Sequence, residues 1–450
     1  MTTQNRPTVI EPLVRRHAED AAFYWAQHDA SAESPRLDLS GLSRFGQLLA
    51  AHLEGLEVAG PAAWPLCLAA LERWKKPAEA FVAAHTALGA AEASQSEALL
   101  VQIRARPDEL LRGVISALAW FPFARARTVI EEWTGARSDA VMQAAALRSV
   151  ALIGADAFAA IGQPLDRFLN SSDEHVRAAA CRVAALLPSE DWLYSTLVER
   201  LLDPVLAVRA EAAIALGSGH LGGGSSGDDG VEVAQALSEC VAAQVAVLNA
   251  STGWYRKQAM RRLNRWVQHL AARLFVELDI AALLDMLPSR LSLRFVAYHG
   301  DSAHLPYVVK QMNIPSEALY AGWVWQTVTG VDISAADLSL PEPPLDIETE
   351  AIREVPMDAD LGLARPDVEA IRRFSTANLV DGQRYLLGLA LNPTNALTVM
   401  RTAPQAQRTI AAHYLQLRYP HKRISVRAPV LRQLAAIDQM QALLDDERVR

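Results

Sequence analysis

Asp139-Ala-Val141-Met-Gln-Ala144-Ala145, Asp173-Glu-His-Val176-Arg177-Ala-Ala179-Ala180 and Asp203-Pro-Val-Leu-Ala-Val208-Arg209-Ala-Glu-Ala212 are three copies of one pattern: an acidic residue, a valine, then a run of alanines. The valines fall 35 (141 to 176) and 32 (176 to 208) residues apart. That period suits a repeated pair of helices and is the signature of a helical solenoid. The alanines let two helices approach closely, and Leu147, Val183, Leu186 and Leu216 fill the space between layers. Each unit exposes an apolar face that only its neighbours cover. The pattern predicts an all-α fold, a HEAT-like α-solenoid of stacked helical hairpins with helical caps at both ends. Asp173 and Arg177 are four apart, so they pair along one helix or Arg177 reaches Asp203 of the next layer. With Val141, Val176, Val208 and Arg209, these positions read as a structural ladder.

Towards the N-terminus, Leu13, Val14, Ala18, Ala21, Ala22 and Trp25 keep helical spacing, and a second helix carries Leu42, Phe45, Leu49, Leu53 and Leu56. Two shorter helices follow, Trp64 to Trp74 and Pro77 to Leu88, so residues 1–93 form an N-terminal helical cap. A divergent first copy and the three clear ones occupy 94–221, with Pro107, Pro164, Pro188 and Pro204 near unit boundaries.

A Gly/Ser-rich loop covers 222–230. Gly217, Gly219 and Gly222 have the GxGxxG spacing, yet an alanine-rich helix precedes them and a flexible run follows. A phosphate cradle needs a strand before and a helix after. Further helical repeats fill 231–331. They include the most basic helix of the chain, with Arg256, Lys257, Arg261, Arg262 and Arg265 interleaved with Trp254, Tyr255 and Trp266. Such a face is either solvated and paired with the chain's own acids, or the binding surface for an acidic protein or a nucleic acid. Trp254 and the five basic residues are the candidate partner-binding set. His299-Gly-Asp301-Ser-Ala-His304 is a tight cluster of metal-ligand types, but its glycine and the following Leu-Pro favour an inter-helix loop. An acidic, proline-containing connector spans 332–367, expected to dock along the solenoid, against the basic helix. A C-terminal helical domain, 368–450, closes the chain, with helices expected at Val368 to Phe374, Gln383 to Leu389, Pro404 to Leu417 and Ala428 to Leu444.

The totals bound the function. The net charge is −8, which weighs against nonspecific nucleic-acid binding by the surface as a whole. Cys67, Cys181 and Cys240 are scattered and odd in number, so neither a disulfide framework nor a CxxC site is indicated. There is no basic stretch leading into an apolar segment at the N-terminus and no uninterrupted apolar run of about 18 residues, which points to the cytoplasm. No nucleophile elbow, HExxH or Walker A sequence occurs, so no catalytic residue, metal ligand or cofactor is expected.

Three sets of residues bring a family into view: His17-Ala-Glu-Asp-Ala-Ala-Phe-Tyr-Trp25 with Ala51-His-Leu-Glu-Gly-Leu56 and Ala59-Gly60; Ala321-Gly322 with Thr329-Gly-Val-Asp332; and Arg384-Tyr-Leu-Leu-Gly388 with Gln405-Ala-Gln-Arg408 and Ala411-Ala412. As an ordered set over almost the whole chain they resemble a proteobacterial family of HEAT-repeat proteins without an assigned activity, often encoded among type VI secretion genes. One departure follows Pro366-Asp367, where the family tends to carry tryptophan and this chain has Phe374. The resemblance implies a non-catalytic role beside a secreted toxin effector: neutralising it as an immunity protein or, alternatively, holding it for loading as an adaptor or chaperone. A helical-repeat nucleic-acid binder or enzyme is the reading from another class.

Overall fold

In a computed structural model, residues 9–188, 190–218, 227–272, 279–341, 360–376 and 378–449 are described. Most of the Gly/Ser-rich loop, Gly219 and Gly222 of the GxGxxG spacing, and 342–359 of the acidic connector lie outside them. The chain is all-α and divides into two compact units. The first comprises the residues up to Glu33, Leu37–Arg200 and Tyr419–Gln439; the second comprises Ser34–Arg36, Leu201–Arg418 and the residues from Met440 on.

The first unit carries α1 (Glu11–Ala30), α2 (Leu39–Ala59), α3 (Ala63–Trp74), α4 (Pro77–Ala90), α5 (Ala93–Ala105), α6 (Pro107–Trp120), α7 (Phe123–Trp133), α8 (Ala140–Ile153), α9 (Leu165–Leu169), α10 (Glu174–Ala184) and α11 (Asp191–Arg200). Alternate helices form the layer that defines the solenoid: α4 packs on α6, α6 on α8, and α8 on α10. Small residues explain the choice. Ala80, Ala83, Ala84 and Ala87 of α4, Ala117 of α6, Ala144 to Ala146 of α8 and Ala179 to Ala180 of α10 are all buried. At Gly113 of α6 a Cβ would sit 2.1 Å from the Pro77 carbonyl oxygen, so α4 and α6 meet backbone to backbone.

The repeats align by their helix starts. Asp139 and Asp173 are the N-caps of α8 and α10, their carboxylates accepting from Met142 N–H and from His175 and Val176 N–H; each such cap contributes about 1 kcal/mol. In the third copy the N-cap is Val205, and Asp203 accepts from its amide two residues earlier. Aligned this way, the fully buried Val176 and Val208 match Met142, while Val141 is only half-buried. The valine spacing thus placed the first copy one residue out of register, because the helix N-terminus, not the valine, sets the phase.

The residue four past each cap has one recurring task. Gln143 donates to the Ser138 carbonyl at 2.9 Å, Arg177 to those of Ser171 (2.9 Å) and Ser172 (3.1 Å), and Arg209 to those of Asp203 (2.7 Å) and Pro204 (3.3 Å). Each side chain folds back to tie down the turn leading into its own helix.

The second unit carries α12 (Leu206–Leu216), α13 (Gly227–Ala250), α14 (Gly253–Ala271), α15 (Ile280–Met286), α16 (Ser289–His299), α17 (Leu305–Gln311), α18 (Ala318–Thr329), α19 (Val368–Arg373), β1 (Tyr385–Leu386), β2 (Leu389–Ala390), α20 (Pro393–Thr402) and α21 (Gln405–Arg418). The chain ends in α22 (Val430–Val449). Here α12 packs on α13, α13 on α14, α14 on α16, and α16 on α18. The stretch 231–250 of α13 is long and apolar enough to cross a bilayer by length and composition. Its buried residues Val233, Leu237, Cys240, Val241, Gln244 and Leu248 recur at helical spacing, and Glu232, Gln235, Glu239 and Asn249 face outward, the pattern of a core helix.

The helix expected at Gln383 to Leu389 is instead a hairpin in which Tyr385 pairs with Ala390 and Leu386 with Leu389. Its two-residue turn, Leu387–Gly388, has φ of +53° and +72°, the left-handed region that matches strand twist. The turn docks on the end of α18: Leu387 and Gly388 N–H donate to the Thr327 and Val328 carbonyls. Helical periodicity in so short a segment lost to that capping role.

Candidate functional site

The basic helix α14 starts at Gly253, after an extended Thr252 whose side chain makes no cap. Its core face is Ala259, Leu263, Trp266, Val267 and Leu270, all buried. The six sequence-predicted residues then separate by role. Arg265 makes a two-point contact with Glu211 of α12: Nε to Oε1 at 3.0 Å and Nη2 to Oε2 at 2.9 Å. The Glu211 side chain is 2% exposed, so Arg265 neutralises a buried carboxylate and is structural. Arg256 donates to the Leu248 carbonyl at 2.8 Å, covering the negative end of α13. Trp254 is partly exposed and meets Tyr255 edge to face, with ring centroids 5.2 Å apart; Tyr255 is 72% exposed.

Lys257, Arg261 and Arg262 are exposed and, among the described residues, make no hydrogen bond or ion pair. Trp254, Lys257 and Arg261 follow one another at i, i+3 and i+7, while Tyr255 and Arg262 form the adjacent stripe. Their position gains nothing from the helix dipole. No acidic residue occupies the first turn of α14, and Arg261 and Arg262 lie at mid-helix, beyond the reach of either end of the helix dipole. The arrangement does not stabilise the helix; it concentrates positive potential beside two exposed aromatic rings.

The acidic connector does not supply the counter-charge through its described end. Asp360 is buried and accepts from Arg290 Nη1 of α16 at 2.5 Å, and the Arg290 guanidinium lies 3.6 Å from the Tyr320 ring centroid. On either side of the undescribed part, Leu340 N–H donates to the Arg365 carbonyl and Asp367 N–H to that of Leu338. The expected docking against α14 is thus replaced, for these residues, by docking on α16.

A second concave region lies in the first unit, a cleft of about 320 Å³ lined by Trp25, His28, Trp120, Arg423, Arg427 and Arg432 among others. Its cations are engaged. Arg432 donates to the Ala119, Trp120 and Phe121 carbonyls at 2.7–2.8 Å, closing the end of α6. Arg427 and Arg112 both hold Asp29, and Arg423 reaches the Ala151 carbonyl. Burial holds His28 far below the usual imidazole range, at about 4, against the opposing pull of Asp29. No local pattern foretells this cleft, because it joins residues hundreds of positions apart.

Of the residues that carry the family resemblance, the N-terminal set lies in the first unit, and members of the central and C-terminal sets sit at buried junctions of the second. Arg384, 7% exposed, donates to the Ala271, Ala272, Tyr298 and His299 carbonyls, so one guanidinium covers the C-terminal ends of α14 and α16. Burial lowers its pKa to about 10. Arg408 is fully buried and donates to the Met400 carbonyl and Gln405 Oε1. Gly330, with φ of +74°, lies where a Cβ would be 2.4 Å from the Leu387 carbonyl oxygen. These motifs serve packing and capping, and none of them lines the α14 face.

In the loop after α16, the histidines and aspartate of the His299 to His304 cluster do converge, with one ligand-type atom of each of His299, Asp301 and His304 within 4.8 Å of the others. Compared with known proteins, the chain matches no family model, no curated protein and no solved structure.

Proposed function

We propose that this is a non-catalytic helical-repeat protein that grips an acidic protein partner through the exposed face of α14. One observation carries the reading. Lys257, Arg261 and Arg262 stand exposed and without counter-ions among the described residues, on the N-terminal half of α14 beside Trp254 and Tyr255. Aromatic anchors ringed by arginine are the composition of binding hot spots. Unpaired cations steer an acidic surface to the site and fix its register.

The family resemblance gives the kind of partner. It is a type VI toxin effector, which the protein neutralises in the manner of an immunity protein; holding the toxin for loading is the alternative.

Affinity capture of the tagged chain from its host, beside the triple variant Lys257→Glu, Arg261→Glu, Arg262→Glu, tests the surface. The wild type should retain one stoichiometric protein with an acidic face through a moderate salt wash, and the variant should lose it. Equal recovery by both would remove α14 from the account. Co-expression with the captured protein separates the two roles: rescue from killing marks neutralisation, whereas loss of export on deletion, without self-poisoning, marks loading. Salt-dependent binding of duplex nucleic acid by wild type alone would instead favour the nucleic-acid reading.

A further inference from the structure

The geometry points to a divalent transition-metal site of the zinc class in the loop between α16 and α17, held by His299, Asp301 and His304. The backbone builds it. Gly300 ends α16 at φ +77°, where a Cβ would lie 2.6 Å from the Tyr385 carbonyl oxygen, so only glycine lets the chain turn this tightly against β1. That turn brings His299, Asp301 and His304, each offering one ligand-type atom, to within 4.8 Å of one another.

Each side chain is presented with a free lone pair. His299 Nδ1 lies 2.9 Å from the Ala271 carbonyl oxygen, which can only accept, so Nδ1 carries the proton and Nε2 the lone pair. A carbonyl orienting the far nitrogen of an imidazole is the usual outer support of a metal-bound histidine. His304 Nε2 is buried and has no hydrogen-bond partner. Such an orphaned polar atom is costly unless something occupies it. Asp301 Oδ1 accepts from Ala303 and Gly382 N–H at 2.9 and 3.0 Å, which fixes the carboxylate and leaves Oδ2 for a ligand. Ser302 Oγ donates to Asp381 Oδ1 at 3.1 Å, placing a second carboxylate beside the loop.

Two imidazoles and one carboxylate form a donor set that suits zinc and its neighbours over magnesium or calcium, which take oxygen ligands. Zinc–ligand distances of about 2.0–2.1 Å put tetrahedral ligands about 3.3 Å apart. The ligand atoms, within 4.8 Å of one another, therefore close by up to about 1.5 Å on binding, a side-chain rotation for the half-buried His304. The Arg384 guanidinium is the opposing charge nearby, and its donors are spent on the carbonyls that end α14 and α16. Three protein ligands leave a fourth position for water or for a donor from outside the chain.

The test uses the full chain stripped with a chelator, titrated with zinc alone against a chromophoric competitor, with thermal melts at each end point. The wild type should bind one zinc per chain and melt higher when loaded. His304→Ala and Asp301→Asn should each bind at least tenfold more weakly and lose the thermal gain, while their metal-free melts stay near that of the metal-free wild type. His52→Ala removes a histidine pair of the first unit, where His17 and His52 Nδ1 atoms stand 3.0 Å apart, and should bind zinc as the wild type does. Unchanged affinity in Asp301→Asn and His304→Ala, loss of binding in His52→Ala, or no uptake by the wild type would each overturn the assignment.

Discussion

Replacing Arg265 by alanine leaves the Glu211 carboxylate, 2% exposed, without its two-point partner. Breaking one half of a buried ion pair costs about 3–5 kcal/mol. The Arg265 side chain is 34% exposed, so water entering the vacated space solvates part of the Glu211 charge, and the expected cost is about 2–3 kcal/mol. For a unit of this size that lowers the melting midpoint by about 4–10 °C. Arg265→Lys keeps the charge but not the planar fork, and should fall between alanine and the wild type. In the double variant Glu211→Gln, Arg265→Met no charge is buried, so stability should return to within about 1 kcal/mol of the wild type. Thermal melts followed by circular dichroism supply all four values. An Arg265→Ala midpoint within 1 °C of the wild type would refute the claim that α14 is anchored through this pair.

Three further outcomes follow from the packing. Ala179→Leu overfills the contact between α8 and α10 and should cost about 1–3 kcal/mol; an unchanged midpoint would mean α10 turns another face to α8. Gly330→Ala places a methyl against the Leu387 carbonyl at a positive φ and should lower the midpoint; no shift would show that the hairpin does not rest on α18. Burial holds His28 and His85 at about 4, the Arg125 charge adding to the effect at His85, against 6.5 when unfolded. Between those values the unfolded chain binds more protons, so stability should fall as pH drops from 6.5 towards 4, by up to about 1.4 kcal/mol per pH unit per histidine. Their contribution should not vary between pH 7.5 and 8.5. His85→Phe should remove one histidine's share of that slope in urea titrations at pH 7 and 5; an unaltered slope would contradict the burial of His85.

The fold was legible because its signal is local. Asp139 and Asp173 announce helix starts, and the alanine runs after them announce close packing, with both features confined to about ten residues of sequence. The phase of the first copy was not legible from its valine, since Met142 takes the buried position. What failed rests on partners far along the chain. Tyr385 to Ala390 forms a hairpin because α18 offers Thr327 and Val328 carbonyls to its turn, which periodicity cannot reveal. Among the basic residues of α14, composition could not separate Arg265 from Lys257, Arg261 and Arg262. The distinction lies with Glu211, 54 residues earlier. Likewise, the convergence of His299 and His304 depends on Gly300 turning against Tyr385, a contact that spans the second unit.

The most direct test of the binding claim is amide hydrogen exchange on the complex recovered by the wild type, compared with the free chain. Side-chain contact along the exposed stripe should slow exchange in residues 253–262, with little change in the first unit's repeats. Protection confined to the α8 or α10 surfaces, with 253–262 exchanging as in the free chain, would contradict the account and move the binding surface to the repeats themselves.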